Sequence, residues 1–268
     1  MACHPGPTVV VTALSALLAL AVGVPAPALL VLAGCVLAGQ LSIGWSNDWL
    51  DAARDAQSDR TDKPTVTGAI DATTLRACAI VAAVVSALGG FALGPVAGAL
   101  NAVIVTMGWL YNVGLKSTPI SFAPYAIAFG ALPALACAAR TPPEAASWWV
   151  MTAAALLGVA AHLTNALPDL DDDRDTGIRG LPHLIGARGA GTSAFVAVAV
   201  AAVLVVVGTR ATPALAMWLG LVALLAIAGA GIALTAAGRT DRTLMRLVML
   251  GALIDAALLI SSGPALLA

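Results

Sequence analysis

Charged residues are scarce in this sequence. Asp, Glu, Lys and Arg make up only 10% of its 268 residues, whereas about a quarter of a soluble globular domain is charged. Hydrophobic residues make up 60%, and the mean hydropathy is +0.96. This composition excludes a water-soluble domain and indicates an integral membrane protein. The net charge of −1 also leaves no overall electrostatic field that would favour nucleic acid as a partner.

Cysteine and aromatic residues are few as well. Aromatic residues make up 4% of the chain, and Ala, Gly, Val and Leu dominate its apolar segments. The four cysteines are scattered, and no pair of them has the spacing of metal ligands. We interpret them as small apolar core residues. They are Cys3, Cys35, Cys78 and Cys137.

The apolar residues fall into long runs. A transmembrane helix needs about 20 mainly apolar residues, and nine segments approach that length. The sequence therefore predicts an all-α membrane protein with nine transmembrane helices, in a single domain over residues 1–268. The predicted spans are Thr8–Val24, Ala26–Trp45, Thr73–Leu93, Val96–Tyr111, Ile120–Ala139, Trp148–Leu167, Ala190–Gly208, Pro213–Ala237 and Thr243–Leu267.

The first span could instead be a cleaved signal peptide. No Lys or Arg precedes it, and the next span begins almost at once, at Ala26. Both features favour a retained first helix.

Basic residues divide unevenly between the two sides of the membrane that nine spans define. The side with the N-terminus receives all 13 Lys and Arg residues except Arg140 and Arg210. Because positive residues favour the cytoplasm, this side is predicted to be cytoplasmic. Both Asp-rich stretches, residues 48–55 and 169–175, fall on it at the ends of even-numbered spans. We expect them to face each other across one cavity.

The two acidic stretches share one spacing, Asn-x3-Asp-x3-Asp. Side chains at i, i+4 and i+8 stack along one face of a helix. The recurrence predicts two parallel helical bundles related by a pseudo-twofold axis along the membrane normal. The residues are Asn47, Asp51 and Asp55 in the first stretch, and Asn165, Asp169 and Asp173 in the second.

Pro168 lies inside the second stretch and should break the helix near Thr164–Leu167. The i, i+4 geometry is therefore expected only from Asp169 onward. His162 lies one turn before Asn165, near the expected cavity. It could orient an acceptor or take a proton, but a hydrogen-bonded histidine between packed helices is the more common outcome.

Carboxylate oxygens suit Mg²⁺, which proteins hold through one or two carboxylates plus substrate phosphates. Facing Asp residues would hold ions that bridge a diphosphate, and nearby basic side chains would neutralise its remaining charge. A hydrocarbon tail can lie between apolar helices while its diphosphate meets the metals at the cytoplasmic rim. The predicted substrate is therefore an isoprenyl diphosphate, whose departing diphosphate Mg²⁺ would stabilise. The basic residues on the correct side are Arg60, Lys63, Lys116, Arg174 and Arg179.

The acids allow two other interpretations. A solvated linker is the preferred interpretation for Asp59, Asp62 and Asp71, but it explains the two matched series poorly. A transporter would place its acids near the bilayer midplane, whereas these acids lie at the rim.

Several segments resemble the UbiA superfamily of intramembrane prenyltransferases. Residues 47–55 match that family's first motif, N-D-x-x-D-x-x-x-D, in full. Residues 165–174 resemble its second motif, although Ala166 stands where many relatives carry Asp. Three connecting segments, 59–68, 111–119 and 181–186, also resemble the family's sequences.

The resemblance implies nine transmembrane helices around a central cavity. It also implies Mg²⁺-dependent transfer of a prenyl group, usually to an aromatic or quinone precursor. The implied catalytic residues, which are also metal ligands, are Asp51, Asp55, Asp169 and Asp173, with Asp48 as a further metal ligand. The implied substrate-binding residues are Asn47, Arg60, Lys63, Lys116, Asn165, Arg174 and Arg179.

The alternative is a membrane terpene cyclase of the same superfamily, in which the substrate's own double bonds capture the cation. Abundant Ala, Val, Leu and Arg fit a high-GC bacterium. We therefore expect the protein in a bacterial inner membrane, with its active site opening to the cytoplasm.

Overall fold

The computed structural model describes residues 5–57, 65–170, 177–209 and 215–268. Within these ranges the chain is helical almost throughout. Short 3-10 helices cover Leu115–Ser117, Leu167–Asp169 and Gly263–Leu266. The α-helices are α1 (Pro5–Ala21), α2 (Ala26–Leu50), α3 (Ala52–Gln57), α4 (Ala72–Ala92), α5 (Pro95–Val113), α6 (Ala123–Ala138), α7 (Trp148–Ala166), α8 (Leu181–Gly208), α9 (Leu215–Ala236) and α10 (Arg242–Ser262).

The all-α prediction is confirmed over these ranges, and every helix except the short α3 overlaps one predicted span. Six described helices (α2, α4, α5, α7, α8 and α9) are long and apolar enough to cross a membrane, while α1 and α6 are apolar but shorter. Large apolar side chains point outward, with Leu30 74% exposed and Leu88 68% exposed. That all nine helices cross the membrane stays a prediction, as does the two-bundle repeat.

Tight turns join α1 to α2 and α4 to α5. Gly23, before α2, and Gly94, before α5, have φ values of 78° and 118°, a region in which glycine is favoured. Proline follows in the first turn of each helix, where its missing N–H costs nothing. Asp71 caps α4 by accepting a hydrogen bond from the Thr74 backbone N–H at 2.8 Å.

The long helices form a closed ring. Each packs against the next one in the chain, from α1 through α2, α4 and onward to α10, and α10 packs back against α1. Glycine allows close approach at several crossings. At Gly39 of α2, for example, an added Cβ would lie 2.9 Å from a Val105 methyl group of α5. Small residues of this kind are typical of helix contacts within membranes.

Buried hydrogen bonds join α4 to both α2 and α5. Ser42 donates to the Ala79 carbonyl at 2.7 Å, and Ser86 donates to the Cys35 carbonyl at 2.7 Å. Asn101 of α5 donates to the carbonyl and hydroxyl oxygens of Ser86, both at 2.9 Å. Such bonds hold helices together where water is absent. The Ser42 bond orients the last turns of α2, in which the first acidic stretch begins.

Candidate functional site

The first acidic stretch keeps the predicted stacking although its helix is interrupted. α2 ends at Leu50 and α3 begins at Ala52, with Asp51 between them. The i to i+4 backbone bonds nevertheless continue, because Asp51 N–H donates to the Asn47 carbonyl at 2.9 Å and Asp55 N–H to the Asp51 carbonyl at 2.8 Å. The series of Asn47, Asp51 and Asp55 therefore follows one helical face.

Three described side chains contact the Asp51 carboxylate. Lys116 Nζ lies 2.5 Å from its Oδ1, and Arg54 Nη2 lies 2.6 Å from its Oδ2. Asn47 Nδ2 also donates to Oδ2 at 3.0 Å. The side chains of Asp51 and Lys116 are each only 11% exposed. A carboxylate this buried is costly unless it is paired and hydrogen-bonded, and here two cations and one amide surround it.

The end of α5 is tied to the same turn of α2. Asn112 Nδ2 donates to the Ile43 carbonyl and to Ser46 Oγ, both at 2.9 Å. The Asn112 side-chain oxygen accepts a longer bond of 3.4 Å from Asn47 Nδ2. These bonds fix the chain just before Lys116, so the ammonium group reaches Asp51 from a rigid helix end.

The other acids of the first stretch are buried as well. Asp48 is 1% exposed and Asp55 is 6% exposed. Three buried carboxylates within eight residues are unusual for a helix end. Their negative charge explains why Lys116 and Arg54 gather at Asp51.

The second stretch shows the predicted helix break. α7 ends at Ala166, and the 3-10 helix Leu167–Asp169 follows around Pro168. The Asn165 side chain is exposed, Asp169 is half-buried and Arg179 is exposed. Within the described ranges no hydrogen bond or ion pair joins these three side chains to the first stretch. Four other predicted site residues lie outside the described residues: Arg60, Lys63, Asp173 and Arg174.

The described carboxylates match the chemistry of Mg²⁺ binding. Over the described ranges, no three His, Cys, Asp or Glu side chains gather closely enough to hold a metal on their own. Asp51 and Asp55 are one helical turn apart and offer only oxygen donors. They correspond to the one or two carboxylates through which proteins hold Mg²⁺ beside a substrate phosphate.

The structure adds residues that sequence reasoning did not select. Arg54 pairs with Asp51 three residues earlier, and this i, i+3 spacing could have revealed it. Asn112 and Ser121 carried no comparable signal, because their partners are 41 or more residues away in the chain. His162 is 2% exposed and hydrogen-bonded to Ser121 at 3.0 Å. It thus has the geometry of a histidine held between packed elements.

Comparisons with known proteins show the family to which the chain belongs. The sequence model of the UbiA prenyltransferase family matches residues 9–257. The bacteriochlorophyll synthase 33 kDa chain of Cereibacter sphaeroides is 33% identical over 187 residues, which cover 66% of this chain and 62% of that relative. The chain therefore spans less than two thirds of that relative's length.

Solved structures share the fold. A UbiA homolog from Aeropyrum pernix K1, in its apo form, superposes with a TM-score of 0.77 at 20% identity, covering 96% of this chain and 98% of that one. A UbiA homolog from Archaeoglobus fulgidus bound to GPP and Mg²⁺ superposes with a TM-score of 0.69 at 13% identity, covering 96% of each chain. With the family match over most of the chain, these likenesses identify it as an integral membrane enzyme of the UbiA prenyltransferase family.

Proposed function

We propose that this enzyme transfers an isoprenyl group from a prenyl diphosphate to an aromatic or quinone-precursor acceptor, with Mg²⁺ as its cofactor. The proposed setting is a bacterial inner membrane, with the active site opening to the cytoplasm. The observation that carries the proposal is the buried Asp51 carboxylate, held by Lys116 and Arg54 at one end of an apolar helical ring.

A structural ion pair alone explains this site poorly. Buried ion pairs contribute little net stability, because the loss of hydration offsets their attraction. Lys116 and Arg54 both bond the Asp51 carboxylate, and each could turn from it to another anion. A diphosphate at this position would accept hydrogen bonds from Lys116 and Arg54, and Asp51 and Asp55 would then be available to a cation.

Each group would act on the departing diphosphate. Lys116 and Arg54 would donate charge-assisted hydrogen bonds to its oxygens, while Asp51, Asp55 and Asp169 would provide oxygen ligands for Mg²⁺. When bound, Mg²⁺ supplies Lewis-acid stabilisation of the charge that develops on the diphosphate. In the transfer, the bond between the prenyl carbon and the diphosphate oxygen breaks. A bond from that carbon to the acceptor forms, and the acceptor loses a proton.

The comparisons support the prenyl donor more directly than the acceptor. A homolog of the same fold binds GPP and Mg²⁺, and another structure from Archaeoglobus fulgidus contains DMAPP and Mg²⁺. The acceptor prediction rests on family resemblance. The relative at 33% identity is a bacteriochlorophyll synthase. A chlorophyll-type acceptor should therefore be tested together with the aromatic and quinone-precursor acceptors.

The test is a product assay with purified protein in detergent. GPP and DMAPP are supplied with Mg²⁺, with and without aromatic, quinone-precursor and chlorophyllide acceptors, and both diphosphate and organic products are measured. We expect diphosphate release that requires an acceptor, stops with a chelator and returns with Mg²⁺. Asp51→Asn and Asp169→Asn should lower it by about 100-fold or more, while Asp241→Asn, a matched change outside the site, should not.

Two outcomes would contradict the proposal. Full diphosphate release by Asp51→Asn would exclude this carboxylate from the metal site. Cyclised hydrocarbon or alcohol formed without any acceptor would identify a terpene cyclase instead of a transferase.

A further inference from the structure

Ser121 lies where three parts of the chain meet. It is fully buried, at 0% exposure, in the segment between the Leu115–Ser117 helix and α6. Its Oγ accepts a hydrogen bond from the backbone N–H of Leu181, the first residue of α8, at 2.9 Å. The same hydroxyl is hydrogen-bonded to His162 Nε2 of α7 at 3.0 Å. One side chain thus connects the Lys116 segment to α7 and to the start of α8.

Gly180 brings the start of α8 onto the backbone of the Lys116 segment. A Cβ added at Gly180 would lie 2.5 Å from the Lys116 carbonyl oxygen and 2.8 Å from Ser121 Oγ. Neither distance is possible for a real side chain, so the contact requires glycine. The two segments are therefore in direct backbone contact, and the Ser121 bonds lie beside that contact.

These contacts form a continuous path between the two acidic stretches. From Asp51 the path passes through the Lys116 ammonium group, at 2.5 Å, into the segment that carries Ser121. From Ser121 it passes to His162, three residues before Asn165 in the last turns of α7. Beyond the end of α7, the 3-10 helix Leu167–Asp169 brings the chain to Asp169.

His162 has few other polar contacts to hold it. Its ring packs against the rings of Tyr111 and Tyr125, with centroid distances of 5.6 Å and 5.1 Å. Its Nδ1 is buried without a hydrogen-bond partner among the residues that the structure describes. The bond to Ser121 is therefore the one polar contact that these residues give the imidazole. Losing it would leave the imidazole held by ring packing alone and would remove the described hydrogen bond between Ser121 and α7.

We propose that the Ser121–His162 hydrogen bond is a positioning bridge for diphosphate binding. It holds the Lys116 segment and the chain entering α8 against α7. Lys116 can then bind the same diphosphate whose Mg²⁺ Asp169 would hold. His162 acts through Lys116 and is not itself a catalytic residue. This inference rests on the proposed function, because its readout is binding of a prenyl diphosphate with Mg²⁺.

The experiment measures the affinity for GPP in the presence of Mg²⁺ by titration calorimetry in detergent, together with thermal unfolding. We expect His162→Leu and Ser121→Ala each to weaken GPP binding by about 10-fold to 100-fold, the usual effect of losing a residue that orients a binding group. The double variant should bind no more weakly than the worse single variant, because both changes remove the same bond.

Three further variants separate positioning from general stability. His162→Gln should restore binding to near the wild-type value, because an amide can place a polar atom near the former Nε2. Gly180→Ala should weaken binding like Ser121→Ala, because its Cβ would push the Lys116 segment away. The matched control is Asn101→Leu, which removes an equally buried bridge between α5 and α4. It should lower the unfolding temperature and leave GPP affinity unchanged.

The outcomes are distinguishable. Wild-type protein that binds no GPP with Mg²⁺ would refute the proposed function, and this inference with it. Wild-type binding together with unchanged affinity in Ser121→Ala would overturn the bridge alone. Equal weakening by Asn101→Leu would also overturn it, because the effect would then come from general destabilisation. If His162→Leu does not fold, Ser121→Ala and Gly180→Ala decide the question.

Discussion

Replacing Lys116 by Met tests the most buried ion pair of the described site. The substitution keeps much of the apolar stem of the side chain and removes the ammonium group that lies 2.5 Å from Asp51 Oδ1. Asp51 keeps Arg54 at 2.6 Å and Asn47 at 3.0 Å. The carboxylate therefore stays partnered, but it loses its only described bond to another part of the fold.

The expected loss of stability follows from that geometry. Leaving a buried charge with no partner costs about 3–5 kcal/mol, but two donors still hold Asp51 in this variant. The relevant quantity is one charge-assisted hydrogen bond, which contributes about 1.5–3 kcal/mol. Arg54→Met should cost less, about 0.2–1 kcal/mol, because the Arg54 side chain is 28% exposed and bridges only i to i+3.

Denaturant unfolding of both variants and of Lys116→Arg checks this reasoning. Lys116→Met should lose the most stability, Arg54→Met less, and Lys116→Arg should keep most of the wild-type value. In the prenyl diphosphate assay, Lys116→Met should lose about tenfold or more in GPP affinity, a difference of about 1.4 kcal/mol. Equal destabilisation by Arg54→Met, or wild-type stability of Lys116→Met, would refute the argument from burial.

Other regions of the fold give independent predictions. Gly208→Ala places a Cβ 2.2 Å from the buried Trp149 ring. It should destabilise the protein by about 1–3 kcal/mol in denaturant unfolding. The control is Gly229→Ala on α9, which has open space around it and should not destabilise the protein. Hydrogen bonds lower the pKa of Asp241 from 3.8 to about 2. The largest contribution comes from Thr243 and a smaller one from Arg239. Asp241 therefore stabilises the folded state above pH 3.8, and that contribution is lost as the pH falls toward about 2. The unfolding-temperature advantage of wild type over Asp241→Asn should shrink across that interval, and a constant difference would contradict the assignment.

Much of the helical architecture could be predicted from the sequence. Long apolar runs identify the helices, because a segment that crosses lipid must satisfy its backbone hydrogen bonds internally. The proline rule also succeeded, since α7 ends at Ala166 as Pro168 predicts. The boundary of α8 was less accurate. Its helix starts at Leu181 and bends at Gly186, where φ is 72°, whereas the predicted span begins at Ala190, within the apolar part.

The acidic stretches show the limit of local reasoning. The spacing of Asn47, Asp51 and Asp55 predicts one helical face, and the backbone bonds confirm it. The importance of Arg54 could also have been found, because its partner is three residues away. Asp48 illustrates the opposite case. Its place in the motif says nothing about its burial, which the packing of the helices decides.

The sequence by itself determined the class of protein, the positions of its helices and the residue types of its site. Composition, hydrophobic runs and a repeated acidic spacing are local properties, so they can be read along the chain. Only the tertiary structure decided that Lys116 reaches Asp51 and that Ser121 joins His162 to the start of α8. Those contacts connect residues that are 41 to 65 positions apart. They depend on how the ring of helices closes, and this is set by packing between small side chains throughout the bundle.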